Sequence, residues 1–169
     1  MPAEKKKGQF TFRTAAVFFI LSALVEIFSI FFGSRVPLFG VVHDGFVAAI
    51  YDLVYATLFA ALGVGLWRGN RWGYTLVFVA TIYYSLDTVQ AFFSRDAAET
   101  DLKQQLIQML AGHEDILQQA GVSKDDFINA ILSTYHDMMA VLPLLFLACW
   151  WGFAWYTYVR RDYFQPGKS

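Results

Sequence analysis

The chain has 169 residues, of which 57% are hydrophobic and 16% charged, and its formal net charge is −1. A soluble domain of this size is usually about 45–50% apolar and about 25% charged. The composition therefore excludes an ordinary soluble enzyme and a disordered chain. A lone cysteine, Cys149, excludes a disulfide scaffold, and the near-neutral charge leaves no electrostatic footprint for nucleic acid.

The charge is segregated. All but three of the charged residues lie outside four apolar stretches, at about 14–33, 45–67, 73–94 and 138–159. Each is about 20 residues long, the length a helix needs to cross roughly 30 Å of hydrocarbon. Helices are expected because backbone polar groups in lipid must be satisfied within the segment. The first stretch follows Lys5, Lys6, Lys7 and Arg13 but is too long for a signal-peptide core and has no A-x-A site after it, so it reads as a retained span. The expected fold is all-α: an integral membrane four-helix bundle, one membrane domain over 1–169.

Basic residues set the expected orientation. Nine lie at the N-terminus, in the turn Arg68-Gly-Asn-Arg71 or in the tail with Arg160, Arg161 and Lys168, and four lie on the other side, at Arg35, Arg95, Lys103 and Lys124. The positive-inside rule places both termini in the cytoplasm, with Trp67, Trp72, Trp155, Tyr156 and Tyr158 as interfacial anchors. The first outer loop, Ser34 to Asp44, is short and apolar and should hug the membrane surface. The second, about 95–137, holds eight acidic residues against three basic ones. Leu102, Leu106, Met109, Leu110, Ile116 and Leu117 recur at helical spacing, Gly121 breaks the pattern, and Ser123-Lys-Asp-Asp126 reads as an N-cap. Phe127, Ile128, Ile131, Leu132 and Tyr135 then continue a helical face into span four, which should kink at Pro143. The result is an extracytoplasmic amphipathic helical hairpin between spans three and four.

The three exceptions are Glu26, Asp52 and Asp87. A carboxylate inside a span costs about 2.5–3.5 kcal/mol on insertion scales and usually faces the bundle interior. Helix rise puts Glu26 about 18 Å and Asp87 about 21 Å from the inner face, and Asp52 about 12 Å below the outer one, so all three fall roughly 9–12 Å below the outer surface. Their helical neighbours are small or polar, the mark of packed membrane faces. Tyr51, Tyr55, Tyr83 and Tyr84 share the layer and can donate hydrogen bonds. Three acids without a cation are not charged together in low dielectric: they are protonated, or they hold a cation. At the outer rim, His43-Asp44 and His136-Asp137 are metal-ligand types without a dedicated motif, and solvated helix-start residues are the better reading of them. Cys149 is expected as an inert buried thiol, and the seventeen Phe as lipid-facing bulk.

The segment Leu66-Trp-Arg-Gly-Asn-Arg-Trp72 resembles the turn of small uncharacterised bacterial four-span inner-membrane proteins. Asp52-Leu-Val-Tyr55 with Arg68-Gly-Asn-Arg-Trp72 is similar to the second span and turn of sterol-isomerase and sigma-2-receptor-like four-helix membrane proteins. Their carboxylates also lie inside the bundle, but here the first loop is shorter and the long loop falls between spans three and four. The expected function is that of a non-catalytic bacterial inner-membrane protein, an accessory or ligand-binding subunit whose carboxylate cluster faces the outer side. Alternatives are an oligomeric proton- or cation-coupled transporter or channel component, and a membrane enzyme acting on a lipid or quinone. No cofactor is required. The expected partners are the lipid bilayer and, through the 95–137 hairpin, a membrane or extracytoplasmic protein or a second copy of the chain.

Overall fold

The computed structural model describes residues 8–111 and 121–165. Lys5, Lys6, Lys7, Ile116, Leu117 and Lys168, which enter the charge and periodicity arguments above, lie outside the described residues. The described elements run α1 (Gln9–Phe32), β1 (Val36–Leu38), β2 (Val41–His43), α2 (Gly45–Arg68), α3 (Arg71–Phe93), α4 (Arg95–Leu110), α5 (Lys124–Val159) and a 3₁₀ turn (Arg161–Phe164). Helices α1, α2, α3 and α5 are each long and apolar enough to cross a membrane. They keep large apolar side chains on the outside: Phe18, Val25 and Phe28 on α1, Leu86 and Phe93 on α3, Leu144 and Phe146 on α5 are all exposed. A water-soluble protein does not expose apolar surface on this scale, whereas a bilayer solvates it.

Two compact units divide the described residues: one within 1–36, 44–86 and 148–169, the other within 37–43 and 87–147. In the first unit α1 and α2 pack closely. Ala16 and Ala23 of α1 are buried, as are Ala48, Ala56 and Gly63 of α2. A β-carbon on Gly63 would lie 2.6 Å from Ile20 Cγ1 and 3.0 Å from the Ala16 carbonyl oxygen. Small residues thus set this approach, as the sequence pattern implied. Beside the turn that joins them, α2 and α3 come closer still. A β-carbon on Gly65 would stand 2.7 Å from Gly73 Cα, and one on Gly73 would stand 2.6 Å from the Gly65 carbonyl carbon. The turn between them is a helix C-cap with Gly69 left-handed at φ +63°, and its N–H bonds Leu66 O at 3.3 Å while Asn70 N–H bonds Gly65 O at 3.3 Å. These are the orphan carbonyls that a left-handed C-terminal residue satisfies.

The core of this unit gathers Phe12 and Ala16 (α1), Leu62 and Leu66 (α2), Val77 and Ala80 (α3), Ala154 (α5), and Tyr163 and Phe164 of the 3₁₀ turn. Phe12 is wholly buried and stacks on Tyr163 at 4.7 Å, with Phe164 edge-on at 4.9 Å. Such aromatic pairs contribute about 0.5–1.5 kcal/mol beyond area burial. Tyr163 Oη donates to Leu66 O at 2.9 Å and so ties the tail to α2. Burial pushes the Tyr163 hydroxyl above its ordinary pKa, and Arg13 beside it pulls the other way. The expectation that the phenylalanines are lipid-facing bulk is therefore corrected: Phe12 and Phe164 are core residues. Cys149 is also corrected, for it is exposed on α5 rather than buried. Hydropathy scores lipid-facing and core positions alike, so it could not separate them.

The described residues are mostly helical, as expected, with one small addition: β1 and β2 pair as a two-stranded sheet. The loop is two residues long, with Phe39 at φ 51° and Gly40 at φ 81°, both left-handed as a type I′ turn requires. Gln90 Nε2 donates to Pro37 O at 2.9 Å, and Gly40 N–H donates to Ser94 Oγ at 2.8 Å, latching the sheet to the end of α3. Leu102, Leu106 and Leu110 of α4 pack on Ile128, Ile131 and Leu132 of α5. Gly121 is left-handed at φ +70°, and Ser123 Oγ accepts the Asp126 N–H at 3.1 Å while its hydroxyl lies 2.6 Å from Asp126 Oδ2. That is the anticipated N-cap, and α5 runs from it through Pro143 as one helix.

Two outcomes test these contacts. Gly65→Ala forces a methyl into the α3 backbone and should destabilise by about 1–3 kcal/mol, the usual cost of overpacking; a thermal midpoint equal to wild type in detergent would refute the close approach. Phe39→Asn removes a bulky residue from a left-handed position that costs it roughly 1–2 kcal/mol. It should raise the midpoint, and a fall would refute the turn geometry.

Candidate functional site

Within the first unit a serine of α1 reaches the carboxylate of α2. Asp52 is only 4% exposed, on the buried face of α2 beside Tyr55 and Ala56. Across from it, Ser29 of α1 has its Oγ 2.6 Å from Asp52 Oδ2 and 2.8 Å from the carbonyl oxygen of Glu26. The seryl hydroxyl holds one proton and faces two acceptors. It can donate to Asp52, leaving the Glu26 carbonyl to its helical bond. Alternatively it donates to Glu26 O and receives a proton from a neutral Asp52. The contact therefore accommodates both protonation states of Asp52 with no movement of heavy atoms. Glu26 stands one turn before Ser29 on α1 and is half-buried.

The four tyrosines divide. Tyr55 is buried, with its ring 4.9 Å from Tyr51, 5.3 Å from Tyr83 and 5.6 Å from Phe59. Tyr51, Tyr55 and Tyr83 thus form a ring cluster around the α2 position that follows Asp52 by one turn. Tyr84 packs elsewhere, against Trp150 of α5 at 5.6 Å. Phe19 extends the aromatic packing, 5.9 Å from Phe59 and 5.4 Å from Trp150. Asp87 is half-buried near the end of α3 and belongs to the second unit.

The rim residues behave as individuals. Asp44 is the N-cap position of α2 and makes no side-chain cap bond. His43 ends β2 and is half-buried. His136, 57% exposed, lies with Nδ1 3.5 Å from Glu99 Oε2 of α4, and its carbonyl accepts from Arg95 Nη2 at 2.6 Å. Asp137 is exposed. Among the described residues no three His, Cys, Asp or Glu side chains gather to hold a metal ion. Ser29 is the site residue that sequence reasoning missed, because a serine one turn from Glu26 reads as one of the small or polar neighbours that mark a packed face. Its spacing of one helical turn from an intramembrane carboxylate was the available signal.

Residues 42–92 match the model of a family described as predicted membrane protein (DUF2127). The matched stretch carries α2, the basic turn and nearly all of α3, and so includes Asp52, Asp87 and the four tyrosines, while Glu26 and Ser29 precede it. No curated protein and no solved structure matches the chain. The family match and the four apolar helices together identify an integral membrane protein.

Proposed function

We propose that the chain is a small non-catalytic membrane protein, an accessory or ligand-binding subunit, in which Glu26 and Asp52 hold a proton, a cation or an amine between α1 and α2. The observation that carries this reading is the buried Asp52 carboxylate, engaged by Ser29 of the opposite helix one turn from Glu26. Between Arg13 and Arg68 the only basic side chain apart from His43 is Arg35, in the loop, so neither helix supplies a countercharge within its apolar stretch. Carboxylates in low dielectric without a countercharge take up a proton or hold a bound positive charge. A carboxylate retained in a span against its insertion cost is a functional residue by default. Asp87, in the second unit, is a further candidate of the same kind in this proposal. The spans form a four-helix bundle of a bacterial inner membrane, with both termini cytoplasmic and α4 and the start of α5 forming an acidic hairpin outside. That hairpin meets a partner protein or a second copy.

The site is tested with sodium as the probe. In detergent at constant ionic strength, replacing choline by sodium should raise the thermal midpoint of wild type by a few degrees, and Asp52→Asn and Glu26→Gln should each lose the response. The same response in all three proteins would sink the cation and amine reading. A response to neither cation, with midpoints that shift in parallel with pH in wild type and Asp52→Asn, would sink the proton reading too. Orientation is tested separately in a Cys149→Ser background. Gly121→Cys should be labelled by an impermeant maleimide in intact cells, and Gly69→Cys only after permeabilisation. The reverse pattern would invert the topology.

A further inference from the structure

A cavity of about 270 Å³ opens where α3 begins, lined by Arg71, Tyr74, Thr75, Arg161, Phe164 and Gln165. Its walls come from two distant parts of the chain, the first turns of α3 and the 3₁₀ turn after α5, and both belong to the first unit. Phe164, 2% exposed, forms a fixed apolar wall, and the Tyr74 ring meets it edge-on at 5.7 Å. The remaining lining residues, Arg71, Tyr74, Thr75, Arg161 and Gln165, all carry donor groups, of which the Thr75 hydroxyl already donates to Arg71 O at 3.4 Å. No lining residue is acidic. Among the described residues neither Arg71 nor Arg161 forms an ion pair, and the Arg161 guanidinium lies over the Tyr158 ring, 6.0 Å from its centroid. Two arginines converging on one cavity without an acid repel each other. Their convergence is favourable when an anion lies between them, and a guanidinium pairs with phosphate oxygens through two parallel bonds.

We infer that this cavity binds a phosphate-class anion, with Arg71 and Arg161 as its charged ligands and Phe164 as its apolar floor. The chemistry is a phosphate monoester or diester, supplied by an anionic lipid headgroup or by soluble phosphate. The setting favours the membrane source, since exposed Trp72, Trp155 and Tyr158 belong to the same helix ends. Aromatic residues of that kind sit at headgroup level, and basic pockets between spans take anionic headgroups. Arg68 lies in the same turn and carries the same charge, but it does not line the cavity. It separates a built site from a generally basic surface.

The test uses the full chain in a phosphate-free neutral detergent, with the thermal midpoint as the readout. Three additions are compared: phosphatidylglycerol, a phosphate-free monoacylglycerol, and inorganic phosphate against chloride at equal ionic strength. Phosphatidylglycerol or inorganic phosphate should raise the wild-type midpoint by several degrees, and monoacylglycerol should not. The rise should fall by at least half in Arg71→Gln and in Arg161→Gln and should persist in Arg68→Gln. A response to phosphatidylglycerol alone assigns the lipid source, and a response to inorganic phosphate assigns the soluble one; both support the site. No wild-type response, or a response lost equally in Arg68→Gln, overturns it. Native mass spectrometry of phosphatidylglycerol retained by wild type and Arg161→Gln gives a second readout independent of stability, and equal retention also overturns the proposal.

Discussion

The approach of α2 to α3 at Gly65 and Gly73 is the contact on which much of the first unit depends. A β-carbon at either position would meet backbone at under 3 Å, so the two helices touch with no side chain between them. In lipid there is no hydrophobic force to drive helices together, and close van der Waals contact takes its place. That closeness permits a turn of only two residues between the helices. The turn's left-handed Gly69 in turn lies against the Tyr163 ring, which a β-carbon there would approach within 3.1 Å. One interhelical distance thus fixes the turn, and the turn fixes where the tail docks.

The same packing gives Asp52 its setting. A buried carboxylate on a helix is tolerable only if a polar partner reaches it, and Ser29 does so from α1 because alanine and glycine faces bring the helices within reach. Ser29 also returns to the backbone of its own helix, so its position is held whichever acceptor its proton serves. The packing scaffold and the polar contact are two consequences of the same small residues.

The spans, the segregated basic residues and the N-cap at Ser123 were legible because each is a local pattern: a hydropathy run, a count, a spacing. What was not legible depends on which way a residue faces. Phe12 and Phe18 are the same residue six apart, yet one is wholly buried and the other 63% exposed. The β-turn was hidden because Phe39 stands where asparagine would have announced it. Arg71 and Arg161 were read for their charge alone, since ninety residues of sequence separate two side chains that line one cavity. Helix rise gave Glu26, Asp52 and Asp87 a common depth, but rise is one coordinate, and the side chain that links Glu26 to Asp52 came from rotation about the helix.

The ring cluster of Phe12, Tyr163 and Phe164 has a consequence for biosynthesis. Phe12 enters the membrane with the first span, and its stacking partners are made more than a hundred residues later. Chains emerge at about 5–20 residues per second, so the first helix waits for seconds with its core face uncovered. During that interval the insertion machinery, lipid or another nascent helix must occupy the place the tail will take. The core of the first unit therefore closes only after α5 and the turn that follows it have been made, long after the helix they cover.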